Sequence, residues 1–417
     1  MADNGCREEA RVEIGSGERF TVTAGPPVHG GYVLARPEGM GVLFVRWALP
    51  GEVVSVRLVE RKREYAFAEA MEVLSPSPHR VHPPCPVFGE CGGCQLQHAD
   101  YPYQGEMKRE ILREAFRRIA KTDIAPAAAK AGGPFGYRHR AQFKTGGRGI
   151  GFYAERSRRL VPVSRCPLMV DAINDALPSL RGLGEFAPAD EVLLASDGAR
   201  VVAALPGVRF DSRIVGRTKS SLSGILFEDG TWGEGSVTLP LEGLAYSVSP
   251  RSFFQANWRA NLSLVGRIGG VLGDARGGRV LDLYAGAGNF ALPLSRRFGE
   301  VVAVEGEPRA FADLRRNATS NGLGNVRTVR SSVEAFRPEG RFDAVLLDPP
   351  RAGLSPKALS RVRAIAAEKV VYVSCNPSTL ARDVKSLSDR YDLDLLEMHD
   401  FFPNTHHVEA LAVLSVR

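Results

Sequence analysis

Cysteine is scarce in this chain, and long hydrophobic runs are absent. Six cysteines in 417 residues are too few for a disulfide scaffold, so we expect a reducing compartment in which thiols serve metal binding or chemistry. No uninterrupted apolar run reaches the ~18 residues that suggest a membrane span. The first nine residues are polar, which is not typical of a secretory signal. We therefore expect a cytoplasmic protein that makes no membrane contact.

The composition is that of an ordinary globular protein. With 44% hydrophobic and 24% charged residues, the chain is neither collagen-like nor wholly disordered. At about 100–200 residues per domain, the length predicts two to four domains. The 54 Lys and Arg exceed the 47 Asp and Glu, and the net charge of +7 is compatible with an acidic partner without identifying one.

The pattern along the chain predicts three domains after a tail at 1–10. Residues 11–73 contain short β-branched and aromatic runs separated by turns, which predict a small closed, OB-like β-barrel. Residues 74–262 begin with a proline-rich boundary and are mostly strand-like, although 104–121 has the apolar period of a basic amphipathic helix that we expect on the C-terminal domain. Residues 263–417 alternate strands and helices, which predicts a Rossmann-like α/β domain.

A glycine-containing turn follows the first strand of the C-terminal domain. The run Asp-Leu-Tyr-Ala-Gly-Ala-Gly-Asn-Phe at 282–290 allows close approach of a ligand to the backbone. Glu305 ends the next strand, where a carboxylate can accept hydrogen bonds from a ribose diol. Asp282 would repel a pyrophosphate but suits a cationic ligand, so the pattern favours S-adenosylmethionine over NAD. A purely structural glycine turn is the plain alternative.

Two further strand ends carry candidate reaction groups. One is Asp348-Pro349-Pro350-Arg351, and the other is Ser374-Cys375-Asn376-Pro377, where the strand stops beside a predicted helix start. A helix N-terminus favours thiolate, so we expect Cys375 to be a nucleophile and not a small buried residue. Glu409 begins the last strand, either as a solvated edge charge or as a base. A thiolate that adds to C6 of a pyrimidine makes C5 nucleophilic, C5 accepts a methyl group, and a carboxylate then removes the C5 proton.

These blocks, together with His407-Val408-Glu409 and Ser252-Phe253-Phe254-Gln255-Ala256-Asn257, resemble the signature motifs of RNA uracil-5-methyltransferases. The resemblance extends over nearly the whole chain, and it implies Cys375 as nucleophile and Glu409 as base. It also implies a set of residues that bind the methyl donor, S-adenosyl-L-methionine: Gln255, Tyr284, Asn289, Glu305, Ser332 and Asp348.

Three cysteines lie within ten residues in a Pro/Gly-rich loop. Cys85, Cys91 and Cys94 are close in sequence, and Cys166 is available as a fourth ligand. Four thiolates suit zinc or an iron–sulfur cluster, and spacing alone does not choose between them. A redox pair at 91–94 lacks its usual βαβ context, and a radical enzyme has different spacing. The ribosomal RNA branch of the family carries a similar loop, so the resemblance implies a structural [4Fe–4S] cluster, with Cys6 left without a role.

RNA is the partner that the remaining patterns favour. Residues 11–73 resemble the TRAM domain, a small RNA-binding barrel. Residues 138–159 place aromatic residues among seven cations, and cations neutralise phosphates while aromatic faces stack unpaired bases. The cations are Arg138, Arg140, Lys144, Arg148, Arg156, Arg158 and Arg159, and the aromatic residues are Tyr137, Phe143, Phe152 and Tyr153. A solvated surface over a buried core is the alternative.

The expected activity is methyl transfer to C5 of a flipped or looped uridine in 23S ribosomal RNA. This substrate is inherited from the family, because both the TRAM and cysteine-loop patterns are present. The alternatives are a tRNA uracil-5-methyltransferase, an amino-group RNA methyltransferase, and an RNA-binding factor without catalytic activity. We expect a monomer, and no pattern indicates a protein partner.

Overall fold

The structure is a computed structural model that describes residues 17–129, 132–147, 149–181, 183, 190–365 and 367–417. The tail at 1–10 with Cys6, the first part of the predicted barrel at 11–16, and Arg148 lie outside these residues. Within the described residues, no helix is both long and apolar enough to cross a membrane.

The N-terminal sheet is strongly curved. Its order is β1-β5-β6-β4-β3-β2, so its two edge strands are consecutive in sequence and are joined by only three residues. A flat sheet of six strands would separate these edges by about 24 Å, whereas a connection of this length reaches at most about 14 Å. The sheet must therefore curl around its apolar side, where Leu43, Val45 and Val54 are fully buried. The strands are β1 (Arg19–Thr23), β2 (Pro27–Val28), β3 (Tyr32–Ala35), β4 (Val42–Arg46), β5 (Val53–Arg61) and β6 (Tyr65–Ser75).

The helix predicted at 104–121 packs against the C-terminal sheet. It begins earlier than its apolar period indicates, because Asp100 caps it by accepting a hydrogen bond from the Tyr103 amide. The α-helix α1 (Tyr101–Ala115) continues as a π-helix at Phe116–Ala120. Leu112 and Phe116 are fully buried in the core beneath the C-terminal sheet. Strand β7 (Ala127–Ala128) then joins the edge of that sheet.

The described part of the central region contains a seven-stranded sheet, helices packed against it and a separate hairpin. The sheet order is β10-β9-β8-β11-β12-β13-β14. Its core includes helical residues such as Ile173 and Leu177 that the strand-like pattern did not indicate. The elements are β8 (Arg140–Gly146), β9 (Gly149–Tyr153), β10 (Leu160–Pro162), α2 (Asp171–Leu180), β11 (Glu191–Ser196), β12 (Val201–Ala204), α3 (Ser212–Thr218), β13 (Gly224–Leu226), β14 (Thr231–Gly233), β15 (Val237–Leu241) and β16 (Leu244–Val248).

The C-terminal region is an eight-stranded sheet with helices on both faces. Its order is β19-β18-β17-β20-β21-β23-β22-β7, and the first five strands are parallel. The elements are α4 (Trp258–Leu272), β17 (Ala275–Leu283), α5 (Ala291–Leu294), β18 (Phe298–Glu305), α6 (Pro308–Ser320), β19 (Val326–Arg330), β20 (Ala344–Leu347), α7 (Pro356–Ile365), β21 (Lys369–Ser374), α8 (Pro377–Leu387), β22 (Tyr391–His399) and β23 (Glu409–Val416).

The topology brings the candidate reaction groups to one edge of this sheet. Parallel strands β17, β18, β20 and β21 end at the same edge, where open α/β sheets bind ligands. Strand β23 is antiparallel to β21, so the start of β23 meets the end of β21. Glu409 therefore lies at the same edge as Asp348 and Cys375, although it begins its strand and they follow theirs.

Candidate functional site

Cys375 and Glu409 are neighbours across two paired strands. Ser374 of β21 pairs with Ala410 of β23, so one further step along the register places Cys375 opposite Glu409. Glu409 is 3% exposed, whereas Cys375 is half-buried. A thiol that remains accessible thus lies beside a carboxylate shielded from solvent.

The Cys375 thiol is held in its protonated form by its surroundings. Burial and the neighbouring Glu409 raise its pKa to about 11, while Arg351 opposes this through charge and a hydrogen bond. This burial acts against the thiolate that a helix start is expected to favour, so the acidity of Cys375 stays a prediction. Arg351 is the cation that stabilises the thiolate, and Asn376 holds it nearby by donating to its carbonyl oxygen (3.0 Å).

The site contains more buried acid than its own cations neutralise. Burial and Asp348 raise the pKa of Glu409 well above its ordinary value, and burial alone raises the pKa of Asp348 to about 7. Asp282 is fully buried, and neither carboxylate oxygen has a hydrogen-bond partner of normal geometry among the described residues. Burial, followed by Asp348, raises the pKa of Asp282 well above its usual range. A cationic ligand would relieve this shortage of positive charge.

The turn after β17 has a backbone geometry and packing that require glycine at position 288. Tyr284 adopts a φ of 64° although it is not glycine, and Gly288 has a φ of 98°. A Cβ at Gly288 would lie 2.9 Å from side-chain atoms of Leu292 and Leu314. Glu305 ends β18 and accepts hydrogen bonds from the Gly286 amide (2.8 Å) and the Glu307 amide (2.6 Å). Its carboxylate is thereby fixed beside the turn, with lone pairs that can accept further hydrogen bonds.

The other residues implied for donor binding lie in varied environments. Gln255 is 6% exposed in the loop before α4. Asn289 is already engaged, since it exchanges two side-chain hydrogen bonds with Asn261 (2.7 and 2.8 Å). Ser332 is exposed, accepts a hydrogen bond from the Ala335 amide (3.2 Å), and lies near Gly306, one residue beyond Glu305. Tyr284 is half-buried, and burial followed by Glu334 raises its pKa to about 12.

The four cluster cysteines are close enough to influence one another. Burial raises the pKa of Cys94 to about 12, and the other three cysteines add to this effect. Among the described residues, no group of three or more His, Cys, Asp or Glu is arranged to hold a metal ion. Four thiols are a donor set that suits zinc as well as an iron–sulfur cluster.

The basic segment at 138–159 only partly matches the predicted RNA surface. Tyr137 and Phe143 are 6% and 0% exposed, so neither can stack on a base, and their predicted role is wrong. The Tyr137 hydroxyl donates to the Pro403 carbonyl (2.9 Å), and Phe143 packs in the core of the central sheet. Phe152 and Tyr153 remain half-buried, and Arg156, Arg158 and Arg159 are exposed.

Sequence reasoning missed a row of aromatic side chains on the outer face of the N-terminal sheet. Phe44 and Phe67 stack with ring centroids 5.3 Å apart, and the exposed Tyr65 meets both rings edge-on. The guanidinium of Arg156 lies 4.7 Å from the Phe67 ring. The alternation of outward-facing and inward-facing residues along each strand could have indicated the outer side chains. The pairing of strands that brings these rings together could not be read from the sequence.

A buried ion pair between α1 and the loop before β23 was also missed. Lys108 is 0% exposed, and its ammonium group donates to Asp400 (2.7 Å) and to the Phe402 carbonyl (2.9 Å). The two charged residues are 292 positions apart, so no local pattern indicates the contact. The pair helps to fix the loop that leads into Glu409.

The fold and the acid-lined edge define an S-adenosylmethionine-dependent methyltransferase, and comparisons with known proteins specify its kind. The family model described as tRNA (Uracil-5-)-methyltransferase matches residues 196–417. The 23S rRNA (uracil(1939)-C(5))-methyltransferase RlmD of Alkalilimnicola ehrlichii is 36% identical over 90% of this chain and 94% of its own. The corresponding RlmD of Klebsiella pneumoniae is 36% identical over 98% of both chains.

A solved structure agrees with these sequence relatives. The tRNA (uracil-54, C5)-methyltransferase of Pyrococcus abyssi, in complex with S-adenosyl-L-homocysteine, matches with a TM-score of 0.77 and 26% identity. The match covers 94% of this chain and 99% of that one. The chain therefore belongs to the RNA uracil-5-methyltransferase family and is an S-adenosylmethionine-dependent enzyme of multidomain α/β fold, as the sequence predicted.

Proposed function

We propose that this enzyme methylates C5 of a uridine in 23S ribosomal RNA through a temporary bond between Cys375 and C6. The observation that carries the proposal is the register that puts Cys375 beside Glu409 at the edge of the sheet. Covalent activation has a chemical purpose, because C5 of neutral uracil is a weak nucleophile. Methylation of an exocyclic nitrogen would need neither the thiol nor a base placed opposite it.

The proposed chemistry assigns one role to each group. Arg351 stabilises the Cys375 thiolate, which bonds to C6 and makes C5 nucleophilic. S-adenosylmethionine, when bound, supplies an electrophilic methyl group on a sulfonium. Glu409 removes the proton from methylated C5, the double bond re-forms, and Cys375 leaves as thiolate. The shielded position of Glu409 suits proton abstraction, since water does not compete there.

The proposed donor site uses residues whose charge and geometry suit a cation. Asp282 and Asp348 lie where a positive ammonium or sulfonium group would lower their raised pKa values. Glu305 is fixed by two backbone amides and is assigned to the ribose hydroxyls. Gln255, Tyr284, Asn289 and Ser332 complete the proposed set, with Ser332 towards the adenine.

The proposed RNA substrate is tested by comparing two transcripts. RlmD relatives support 23S rRNA, whereas the Pyrococcus abyssi neighbour is a tRNA enzyme and supports the alternative. We expect the purified enzyme to methylate 23S rRNA from a strain lacking it and to leave tRNA unmodified. Mapping 5-methyluridine at nucleotide resolution identifies the site. Methylation of tRNA alone, or unchanged 23S rRNA in the deletion strain, would reject this substrate.

A [4Fe–4S] cluster bound by Cys85, Cys91, Cys94 and Cys166 is the proposed metal centre. Its role is structural, because the methyl transfer requires no electrons. Anaerobic purification should yield a brown protein with about four irons and four sulfides per chain. A colourless protein that contains zinc would reject the cluster. The proposed setting is the reducing cytoplasm, and the proposed form is a monomer.

A further inference from the structure

One glutamine joins the cysteine loop (residues 85–94) to the catalytic loop (residues 401–408), which leads directly into Glu409. Gln95 follows the last cysteine of the loop and is 7% exposed. Its side-chain amide nitrogen donates to the Gly92 carbonyl in the cysteine loop (2.9 Å). Its side-chain oxygen accepts from the ring (3.0 Å) and the backbone amide (3.3 Å) of His406. The same side chain is therefore bonded to both loops.

The backbone of this segment makes the same connection. The amides of Gln95 and Leu96 both donate to the Asn404 carbonyl at 3.0 Å. Asn404 has a φ of 69°, which asparagine adopts more readily than most non-glycine residues, and it is 2% exposed. The catalytic loop is thus bonded to residues about 300 positions earlier.

The ring of His406 is suited to this contact. Burial, His29 and nearby cations lower its pKa to about 4, so the ring is neutral and its Nδ1–H donates to Gln95. The adjacent His407 accepts a hydrogen bond from Arg351 (2.7 Å), and Arg351 is the cation beside the Cys375 thiol. A continuous series of contacts therefore runs from the cysteine loop through Gln95 to both proposed reaction groups.

The N-terminal sheet closes around the same point. Gly31 lies in the turn before β3 with a φ of 78°, and a Cβ there would lie 2.7 Å from the Gln95 Cβ and 3.5 Å from the His406 Cβ. The glycine lets the turn pack directly onto Gln95.

We propose that Gln95 is a positioning residue, which holds the catalytic loop in its active shape and makes that shape depend on the cysteine loop. The inference rests on the proposed roles of Cys375 and Glu409. It assigns to the cysteine loop a specific effect on the chemical step, separate from any contact that the loop makes with RNA.

The test compares Gln95→Met with Gln97→Met in the full-length protein purified anaerobically. Methionine keeps the approximate shape of glutamine but makes none of its hydrogen bonds. Gln97 is the matched control, because its side chain accepts from the Cys85 amide (3.2 Å) and so holds the cysteine loop without a described bond to the catalytic loop. Hydrogen exchange of residues 402–409, measured by mass spectrometry without RNA or donor, reports the loop directly.

Gln95→Met should raise exchange in 402–409 by about tenfold and lower kcat by about tenfold, as expected for two or three lost hydrogen bonds. The dissociation constant for RNA should change less than about twofold and the iron content should be unchanged, whereas Gln97→Met should leave exchange in 402–409 as in the parent protein. Gly31→Ala, which displaces Gln95 from the other side, should act like Gln95→Met.

Equal effects of the two methionine substitutions would overturn the proposal, since general loosening of the cysteine loop would then explain both. Unchanged exchange and kcat in Gln95→Met would overturn it as well. Methylation of RNA by Cys375→Ala would instead reject the proposed function. The exchange result would still show whether Gln95 holds the catalytic loop.

Discussion

At the scale of single residues, the main property of the site is a set of acidic groups whose pKa values are raised by burial. Asp348, Glu409 and the Cys375 thiol all have raised pKa values, and desolvation is the largest cause for each. A bound cation stabilises their ionised forms, so donor binding and activation of the thiol are coupled. The sequence predicted which residues these are, because each follows or begins a recognisable strand. It did not predict their protonation, which depends on burial in the folded protein.

Asp348 should make the preference for the charged donor depend on pH. Its pKa is raised to about 7, so it is largely neutral at pH 6 and ionised at pH 8. The affinity for S-adenosylmethionine relative to S-adenosylhomocysteine, which lacks the sulfonium charge, should therefore increase several-fold over this range. Calorimetric titration measures both affinities, and their ratio cancels the contribution of the ammonium group that both ligands carry. In Asp348→Asn the ratio should change much less with pH, and a pH dependence as large as that of the parent protein would contradict the assignment.

Glu409→Gln should separate methyl transfer from product release. The amide cannot accept the C5 proton, so turnover should fall by about 10²–10⁴-fold. A covalent complex of RNA and protein should accumulate, because Cys375 cannot leave until that proton is removed. Denaturing gel electrophoresis with labelled RNA detects this complex. A variant that turns over normally would show that another group is the base.

At the scale of elements, the antiparallel last strand determines the site. Strand β23 runs opposite to β21, which brings the start of one strand to the end of the other. The strand ends and the glycine turn were predictable, since each depends on a few neighbouring residues. The docking of α1 and the contacts of the catalytic loop were not, because Gln104 and Asn404 are 300 positions apart. The burial of Tyr137 and Phe143 escaped prediction for the same reason.

Gly288→Ala should damage the turn that we propose approaches the donor. The added Cβ would meet Leu292 and Leu314 at 2.9 Å, and a φ of 98° is unfavourable for alanine. We expect a loss of about 2–4 kcal/mol in the free energy of unfolding and an increased KM for S-adenosylmethionine. Urea unfolding and steady-state kinetics measure the two effects.

Gly324→Ala is the control for this prediction, since nothing lies within 4 Å of a Cβ at Gly324. Gly286→Ala should be intermediate, because it adds only the strain of a φ of 55° without a clash. An equal loss of stability in the three variants would contradict the explanation that the packing at Gly288 leaves no room for a Cβ.

At the scale of the whole molecule, the N-terminal sheet and the central region both reach the catalytic edge. The turn before β3 contacts Gln95 and His406, and the outer aromatic row of the same sheet lies beside Arg156 of the central region. This arrangement places aromatic rings beside cations, the groups that bind unpaired bases and phosphates. The domain boundaries and the TRAM resemblance remain predictions from sequence.

Affinity for RNA should depend on the exposed cations between β9 and β10. Replacing Arg158 and Arg159 by alanine should lower the slope of log affinity against log salt concentration by about 1.4, at about 0.7 for each phosphate contact on a single strand. The value of kcat should not change. Arg213→Ala, an exposed arginine paired with Asp211 on α3, is the control. An unchanged salt slope in the double variant would exclude these residues from the RNA surface.

The most direct test of covalent catalysis uses RNA that contains 5-fluorouridine at the target position. Fluorine cannot leave C5 as a proton does, so the methylated nucleotide should stay bonded to the enzyme. After trypsin digestion, mass spectrometry should find the methylated fluorouridine nucleotide on the peptide spanning residues 370–382, which contains Cys375. Cys375→Ala should give no adduct. An adduct on another peptide, or methylation by Cys375→Ala, would contradict the account.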